Sequence, residues 1–170
     1  MKKYLALIFL LFVLVAGCSI NQWEEYISDE GKYKVDFPGN PEIKTQKVNT
    51  KIGEIQITMA MLESNNIAYM ASFNDYTSEF IKNSNEKDLL DGARDGAVAN
   101  VQGKLLSELI IELNNIPGRE IKIETADGKN TIIQRVYLAG SRLYQVSVVT
   151  PKTQSFDKNI NKYLDSFKIR

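Results

Sequence analysis

"YKVDFPGNPEI", Tyr33 to Ile43, sets Tyr33, Val35 and Phe37 against Lys34 and Asp36 and then stops at Pro38-Gly39-Asn40-Pro41. A period of two places the apolar residues on one face of a half-buried strand, and the Pro/Gly/Asn cluster turns the chain sharply. Outward from this stretch the pattern persists. "EIKTQKVNT" and "EIQITMAML" keep the alternation across an expected turn at Lys51 to Gly53, and "IAYMASFNDY" follows Ser64-Asn65-Asn66. Strand signals dominate from Trp23 onward, and they predict an antiparallel meander.

A different period governs "KDLLDGARDGAVANVQG", Lys87 to Gly103. Leu90, Ala93, Ala97 and Val101 recur at spacings of four, three and four, one face of a helix with Leu89 at its margin. Asn85 or Ser84 can cap the start and Gly103 can end it. Gly92 and Gly96 each cost up to about 1 kcal/mol against Ala inside a helix. Four apart, they form a small-residue stripe, which predicts close approach to a neighbouring backbone. Strands resume in "KLLSELIIEL", "GREIKIETADG", "TIIQRVYLAG" and "RLYQVSVVT", with hairpin turns expected at Asp127-Gly128 and Ala139 to Arg142, and Pro151 closing the last strand. In "SFDKNINKYLDSFKI", Phe156, Ile160, Tyr163, Leu164 and Phe167 share a face, a second amphipathic helix with Ser155 as its expected cap. The order strands, helix, strands, helix is that of an α+β domain, a broad antiparallel sheet with helices packed on its faces. With no repeat or linker, residues 23–170 read as one domain.

Taken together, "FPGNPEI", "LLDGARDGAVAN", "IPGREI" and "YLDSFKI" resemble the PsbP-like superfamily across nearly all of the chain past the N-terminal segment. The resemblance implies an α/β/α sandwich around a central, mostly antiparallel sheet. Its motifs are turns, core patterns and a C-terminal helix, so it speaks for fold rather than activity. The superfamily includes luminal subunits of photosystem II, some of them lipoproteins in cyanobacteria, and many bacterial proteins of unknown function. Metal sites of the photosynthetic members depend partly on His; this chain has none, so that behaviour is not carried over.

Residues 1–17 read as an export signal, with Lys2 and Lys3 ahead of an apolar core from Leu5 to Val15 and small residues after it. The apolar stretch from Tyr4 to Gly17 is about 14 residues, short of the roughly 18 to 20 that cross a hydrocarbon core. Val15-Ala16-Gly17-Cys18 resembles the bacterial lipobox. The resemblance implies cleavage before Cys18, a thioether-linked diacylglycerol on its sulfur and acylation of its new amino group. The alternative is an ordinary secretory signal that contains a Cys. One myristoyl chain binds only at about 10⁴ M⁻¹, whereas two or three acyl chains hold firmly. Residues 18–22 are then a lipidated N-terminus and short tether, and the domain sits close to the bilayer. Trp23 either rests in the membrane interface or packs on the domain edge. Ser19 after the Cys, rather than Asp, points in a Gram-negative cell to the outer membrane, on its periplasmic face.

Past residue 17 about 153 residues remain, enough for one domain with a proper core. The whole chain carries 21 basic and 21 acidic groups; setting aside Lys2 and Lys3 leaves 19 against 21, a net charge of about −2. That balance argues against nucleic acid or a strongly anionic membrane surface as the main partner. Cys18 is the only cysteine, so no internal disulfide forms. Without His or a free Cys, the usual general base, Cys-His nucleophiles and the commonest metal ligands are missing. No cofactor or metal is expected, and the chain is not expected to be an enzyme.

Few side-chain groups remain as candidates. Asp88, Asp91 and Asp95 lie three and four apart near Glu86 and offer oxygens to Ca²⁺, or they form a solvated face with Lys87 and Arg94 interspersed. "PGRE", Pro117 to Glu120, reads as a tight turn that aims Arg119, either to clamp a carboxylate or to pair with Asp91 or Asp95 and lock helix to sheet. Arg135 and Arg142 read as structural. Tyr69 and Phe73 share a strand face while Tyr76 lies on the other. Tyr137 and Tyr144 flank the late hairpin at a separation that suits a cross-strand pair.

By subtraction, the expected function is a membrane-anchored cell-envelope lipoprotein acting as a non-catalytic interaction or assembly module for an envelope protein. Its candidate surfaces are the Gly92/Gly96 helix face, Arg119, and the strands around Tyr137 and Tyr144. The alternative is a carrier of a small apolar or lipid ligand in a cavity between sheet and helix. Carboxylate catalysis would need two facing carboxylates with perturbed pKa values.

Overall fold

A computed structural model describes residues 23–50 and 53–170. The expected export signal, Cys18 and the expected tether lie outside the described residues, as do Lys51 and Ile52 of the first expected turn. Five strands come first: β1 (Glu24–Ser28), β2 (Tyr33–Phe37), β3 (Glu42–Thr50), β4 (Gly53–Ser64) and β5 (Ile67–Asp75). Helices α1 (Ser78–Lys82) and α2 (Glu86–Asn100) follow. Then come β6 (Lys104–Leu113), β7 (Ile116–Glu124), β8 (Asn130–Ala139), β9 (Arg142–Pro151), a 3₁₀ turn (Lys152–Gln154), α3 (Lys158–Ser166) and β10 (Lys168–Ile169).

Among the described residues the strands make two antiparallel sheets, one of seven strands in the order β3-β4-β5-β9-β8-β7-β6 and one of three in the order β1-β2-β10. The expected meander is β3 to β5. β2 does not belong to it: the Pro38–Pro41 turn releases β2 into the small sheet, which lies over the large one. Alternation fixes which residues of a strand are buried but not which sheet receives them. Tyr33, Val35 and Phe37 are fully buried there.

One face of the large sheet presents Tyr69, Ala71 and Phe73 of β5, Tyr144, Val146 and Val148 of β9 and Tyr137 of β8. These pack against Tyr33, Val35 and Phe37 of β2 and against Ile160, Tyr163, Leu164 and Phe167. The opposite face receives α2: Leu89 and Leu90 meet Val136, Leu138 and Leu143, and Ala97, Val98 and Val101 meet Ile121, Ile123 and Ile132. Burying a side chain such as Leu90 contributes about 1.5–3 kcal/mol. The junction between sheet and α2 is thus lined by packed apolar side chains.

Polar chemistry sets the ends of the helices. Asn85 Oδ1 accepts from the Asp88 amide at 2.8 Å and caps α2. At the other end Gln102 takes φ +46°, and the Gly103 amide donates to the Val98 carbonyl at 3.0 Å. α3 begins later than expected, because Asp157 rather than Ser155 is its cap, with Oδ1 accepting from the Asn159 amide at 2.7 Å. Phe156 therefore precedes the helix and is 92% exposed instead of joining the buried face. Phe167 does join the core, but in extended backbone past the helix end, stacked on Tyr137 at 5.9 Å with planes 6° apart.

The turn before Arg119 also differs from expectation. Asn114 and Asn115 make it, at φ +52° and +65°, while Pro117 and Gly118 lie inside β7. Two successive positive φ angles match the tight hairpin turn that Asn favours. Gly118 is needed for a different reason: a Cβ there would stand 2.4 Å from the Val136 carbonyl oxygen.

Candidate functional site

Arg119 points from β7 toward α2 and is 9% exposed. Its Nε lies 3.2 Å from Glu108 Oε1 on β6, and its Nη2 lies 3.7 Å from Asp91 Oδ1 on α2. Arg94 of α2 joins the same group, with Nη1 2.9 Å from Glu108 Oε2 and Nε 2.8 Å from Asp95 Oδ1. Lys87 Nζ donates to Asp91 Oδ2 at 2.5 Å. That hydrogen bond, reinforced by the charges of Lys87, Arg94 and Arg119, holds the Asp91 carboxyl below its usual range. Cations and carboxylates alternate, so the cluster is internally neutralised. It locks helix to sheet, with Asp91 rather than Asp95 as the Arg119 partner. Asp88 is held by Asn85 Nδ2 at 2.6 Å. The three aspartates are thus occupied, and no group of three His, Cys, Asp or Glu among the described residues is placed to hold a metal ion.

The other arginines tie elements together. Arg142 forks onto Asp75, both contacts at 2.7 Å, donates to the Glu30 carbonyl at 2.8 Å, and lies 4.6 Å over the Phe73 ring. Arg135 bridges Glu120 at 2.6 Å and Asp165 at 2.8 Å.

Tyr137 and Tyr144 face each other directly across β8 and β9. At 4% and 2% exposure they are core residues, and neither presents a docking surface. The Tyr144 hydroxyl donates to the Gly31 carbonyl at 2.8 Å, which ties the small sheet to the large one. Gly92 and Gly96 are exposed, and a Cβ at either would meet nothing within 4 Å. The stripe therefore marks no close backbone approach. α2 turns Leu89, Leu90, Ala93 and Ala97 to the sheet and its glycines to solvent. Of the sequence candidates outside α2, Arg119 reaches the α2 aspartates, while the tyrosine pair lies on the opposite sheet face.

The exposed apolar groups lie elsewhere. Among the described residues β6 is an outer strand of the seven-stranded sheet, hydrogen-bonded to β7 alone. It carries Leu106, Leu109 and Ile110 at 43%, 58% and 82% exposure, and its register shifts between Leu105 and Ser107. A long apolar edge is a ready template for another strand. The signal was present in "LIIEL", three successive apolar residues where a half-buried strand should alternate. A second feature is a cleft of about 290 Å³ between β6, β7 and β8 and the start of α3, lined by Ser107, Lys122, Ile133, Phe156, Asp157 and Ile160 among others. Lys122 Nζ stands 5.6 Å from the centre of the Phe156 ring. Trp23 packs on the domain edge, 5.9 Å edge-on from Tyr69 with Lys162 Nζ 4.3 Å over its ring.

No protein-family model matches the chain, and no curated protein matches it. Among solved structures, the chain is similar to the solution structure of cyanobacterial PsbP (CyanoP) from Synechocystis sp. PCC 6803, at a TM-score of 0.59 and 10% identity over 91% of this chain and 96% of that one. A Pseudomonas aeruginosa protein of unknown function, PA94, aligns at a TM-score of 0.34 and 13% identity over 77% of this chain and 84% of that one. The likeness to CyanoP shows a PsbP-like fold.

Proposed function

We propose that the chain is a bacterial cell-envelope lipoprotein, held through acylated Cys18 on the extracytoplasmic side of a membrane, whose domain is a non-catalytic interaction module. In a Gram-negative cell the membrane is the outer one, at its periplasmic face. The fold is read as a sheet-rich form of the α/β/α sandwich. The observation that carries the interaction reading is the edge of β6, which among the described residues pairs with β7 alone and carries Leu109 and Ile110 exposed. An envelope protein that offers an extended apolar segment would add a strand there, with main-chain bonds giving affinity and the Leu/Ile side chains giving selectivity. The charged cluster behind that edge is self-neutralised, which suits a rigid support better than a reacting centre.

The test is affinity purification of the full chain in mild detergent beside Cys18→Ser and Ile110→Lys. A stoichiometric protein partner that Ile110→Lys loses supports the reading, and its loss with Cys18→Ser as well would tie the assembly to the membrane. Equal recovery by wild type and Ile110→Lys would remove β6 as the docking edge, and a small molecule with no protein would favour a carrier.

A further inference from the structure

The described chain begins at Trp23, five residues after Cys18. Five residues span at most about 18 Å, so a bilayer holding an anchor at Cys18 lies within that reach of Trp23. One register row of the large sheet, partly buried in the core, gives the scale of this side: Tyr69 is opposite Val148, Val148 opposite Ile133, Ile133 opposite Lys122, and Lys122 opposite Ser107. Trp23 sits on Tyr69 at one end of the row. Phe156 sits by Lys122 near the other end, three strand spacings away or about 15 Å. α3 lies between them, reaching Trp23 through Lys162 and the cleft through Ile160.

Two features of this surface match an anionic bilayer. Phe156 is the most exposed large apolar residue among those described. Lys122, Lys158 and Lys162 have no carboxylate within ion-pair distance among the described residues. Of the nearby carboxylates, Glu120 and Asp165 share Arg135, and Asp157 accepts the Asn159 amide as the cap of α3. Three lysines without an ion-pair partner among the described residues, gathered on one side of a chain whose net charge past residue 17 is about −2, offer that side to a negative surface.

We propose that the α3 face, Phe156 with Lys122, Lys158 and Lys162, rests on the anionic phospholipid bilayer that carries the chain's own anchor, with the Phe156 ring entering the headgroup region. This rests on the anchored-lipoprotein reading and adds an orientation to it. Ile110 shares the α2 face of the sheet with Arg119, its cross-strand partner, and so points away from the bilayer.

The test uses the full chain processed in a bacterium and reconstituted into phosphatidylglycerol/phosphatidylethanolamine vesicles with brominated acyl chains. Trp23 is the only tryptophan, so Trp23→Phe provides a silent background. Phe156→Trp and Ile110→Trp are then placed singly in it, both at exposed positions that spare the core. The expected result is bromine quenching and a blue shift for Phe156→Trp, neither for Ile110→Trp, and weaker quenching when Lys122→Gln and Lys158→Gln are added to Phe156→Trp. Equal quenching at both positions, or none at Phe156→Trp in chains that float with the vesicles, overturns the orientation while leaving the anchor standing. Chains that fail to float overturn the anchor reading and the orientation with it.

Discussion

Arg119 Nε stands 3.2 Å from Glu108 Oε1, and Arg94 Nη1 reaches the other oxygen of that carboxylate at 2.9 Å. One carboxylate on the outer strand β6 therefore joins a guanidinium from β7 to one from α2. Arg119 is nearly buried, so its loss should act differently from loss of a surface ion pair. Arg119→Leu keeps an apolar stem but leaves Glu108 with Arg94 alone, and should lower stability by about 1–3 kcal/mol, read from the urea midpoint. The loss should persist in high salt, where exposed pairs are screened. A midpoint equal to wild type would mean that the cluster does not lock α2 to the sheet.

The same cluster sets an acid limit. Asp91 has its folded-state pKa lowered, first by the hydrogen bond from Lys87, so its contribution to stability is present above the unfolded value near 3.9 and is lost as pH falls through the folded value. Asp127, lowered by the Thr125 hydroxyl, behaves in the same sense at the β7–β8 turn. Urea midpoints of wild type and Asp91→Asn should differ at pH 6 and converge below about pH 4. A difference that stays constant across that range would assign the effect to shape rather than charge.

Gly92 and Gly96 yield a prediction of opposite sign to the expectation from their spacing. A methyl at either position meets open space, so Gly92→Ala and Gly96→Ala should each stabilise by about 0.5–1 kcal/mol through helix propensity alone. Gly118→Ala should destabilise, because its methyl would strike the Val136 carbonyl. Thermal melts of the three variants decide the matter. A lower melting temperature for Gly92→Ala in the isolated protein would show that this helix face is packed after all.

Sequence periodicity located most elements because each buries one face. The α2 face of Leu90, Ala93, Ala97 and Val101 packs as its spacing dictates, and the Tyr137/Tyr144 pairing followed from hairpin geometry. What periodicity lacks is the third dimension. It could not tell that β2 leaves the meander for a second sheet, nor that two small residues on α2 face water. The start of α3 was misplaced because Ser155 and Asp157 are both competent caps and only packing chooses between them. That choice moves Phe156 from the expected core to full exposure. The β6 edge was in view as "LIIEL", but an outer strand is defined by the absence of a neighbour, which no local pattern records.

Tyr163 is the most demanding test of the core. Its ring is wholly buried, 5.1 Å from both Phe37 and Tyr69, and its hydroxyl has no hydrogen-bond partner among the described residues. An unpaired buried hydroxyl costs free energy, so Tyr163→Phe should match wild type or exceed it by up to about 1 kcal/mol. Tyr163→Ala, which opens a cavity, should lose about 3–5 kcal/mol. Burial also raises the pKa of Tyr163 well above that of a free phenol, and it pushes Tyr69 up to about 12. A raised folded-state pKa means that the stability is fully present below the unfolded value near 10 and is lost as pH rises through the folded value. Circular dichroism against pH should therefore show wild type unfolding at alkaline pH, with Tyr163→Phe holding its signal to higher pH. If Tyr163→Phe instead melts earlier at neutral pH, the hydroxyl has a partner in solution, and the core around Phe37 and Tyr69 is wetter than its packing indicates.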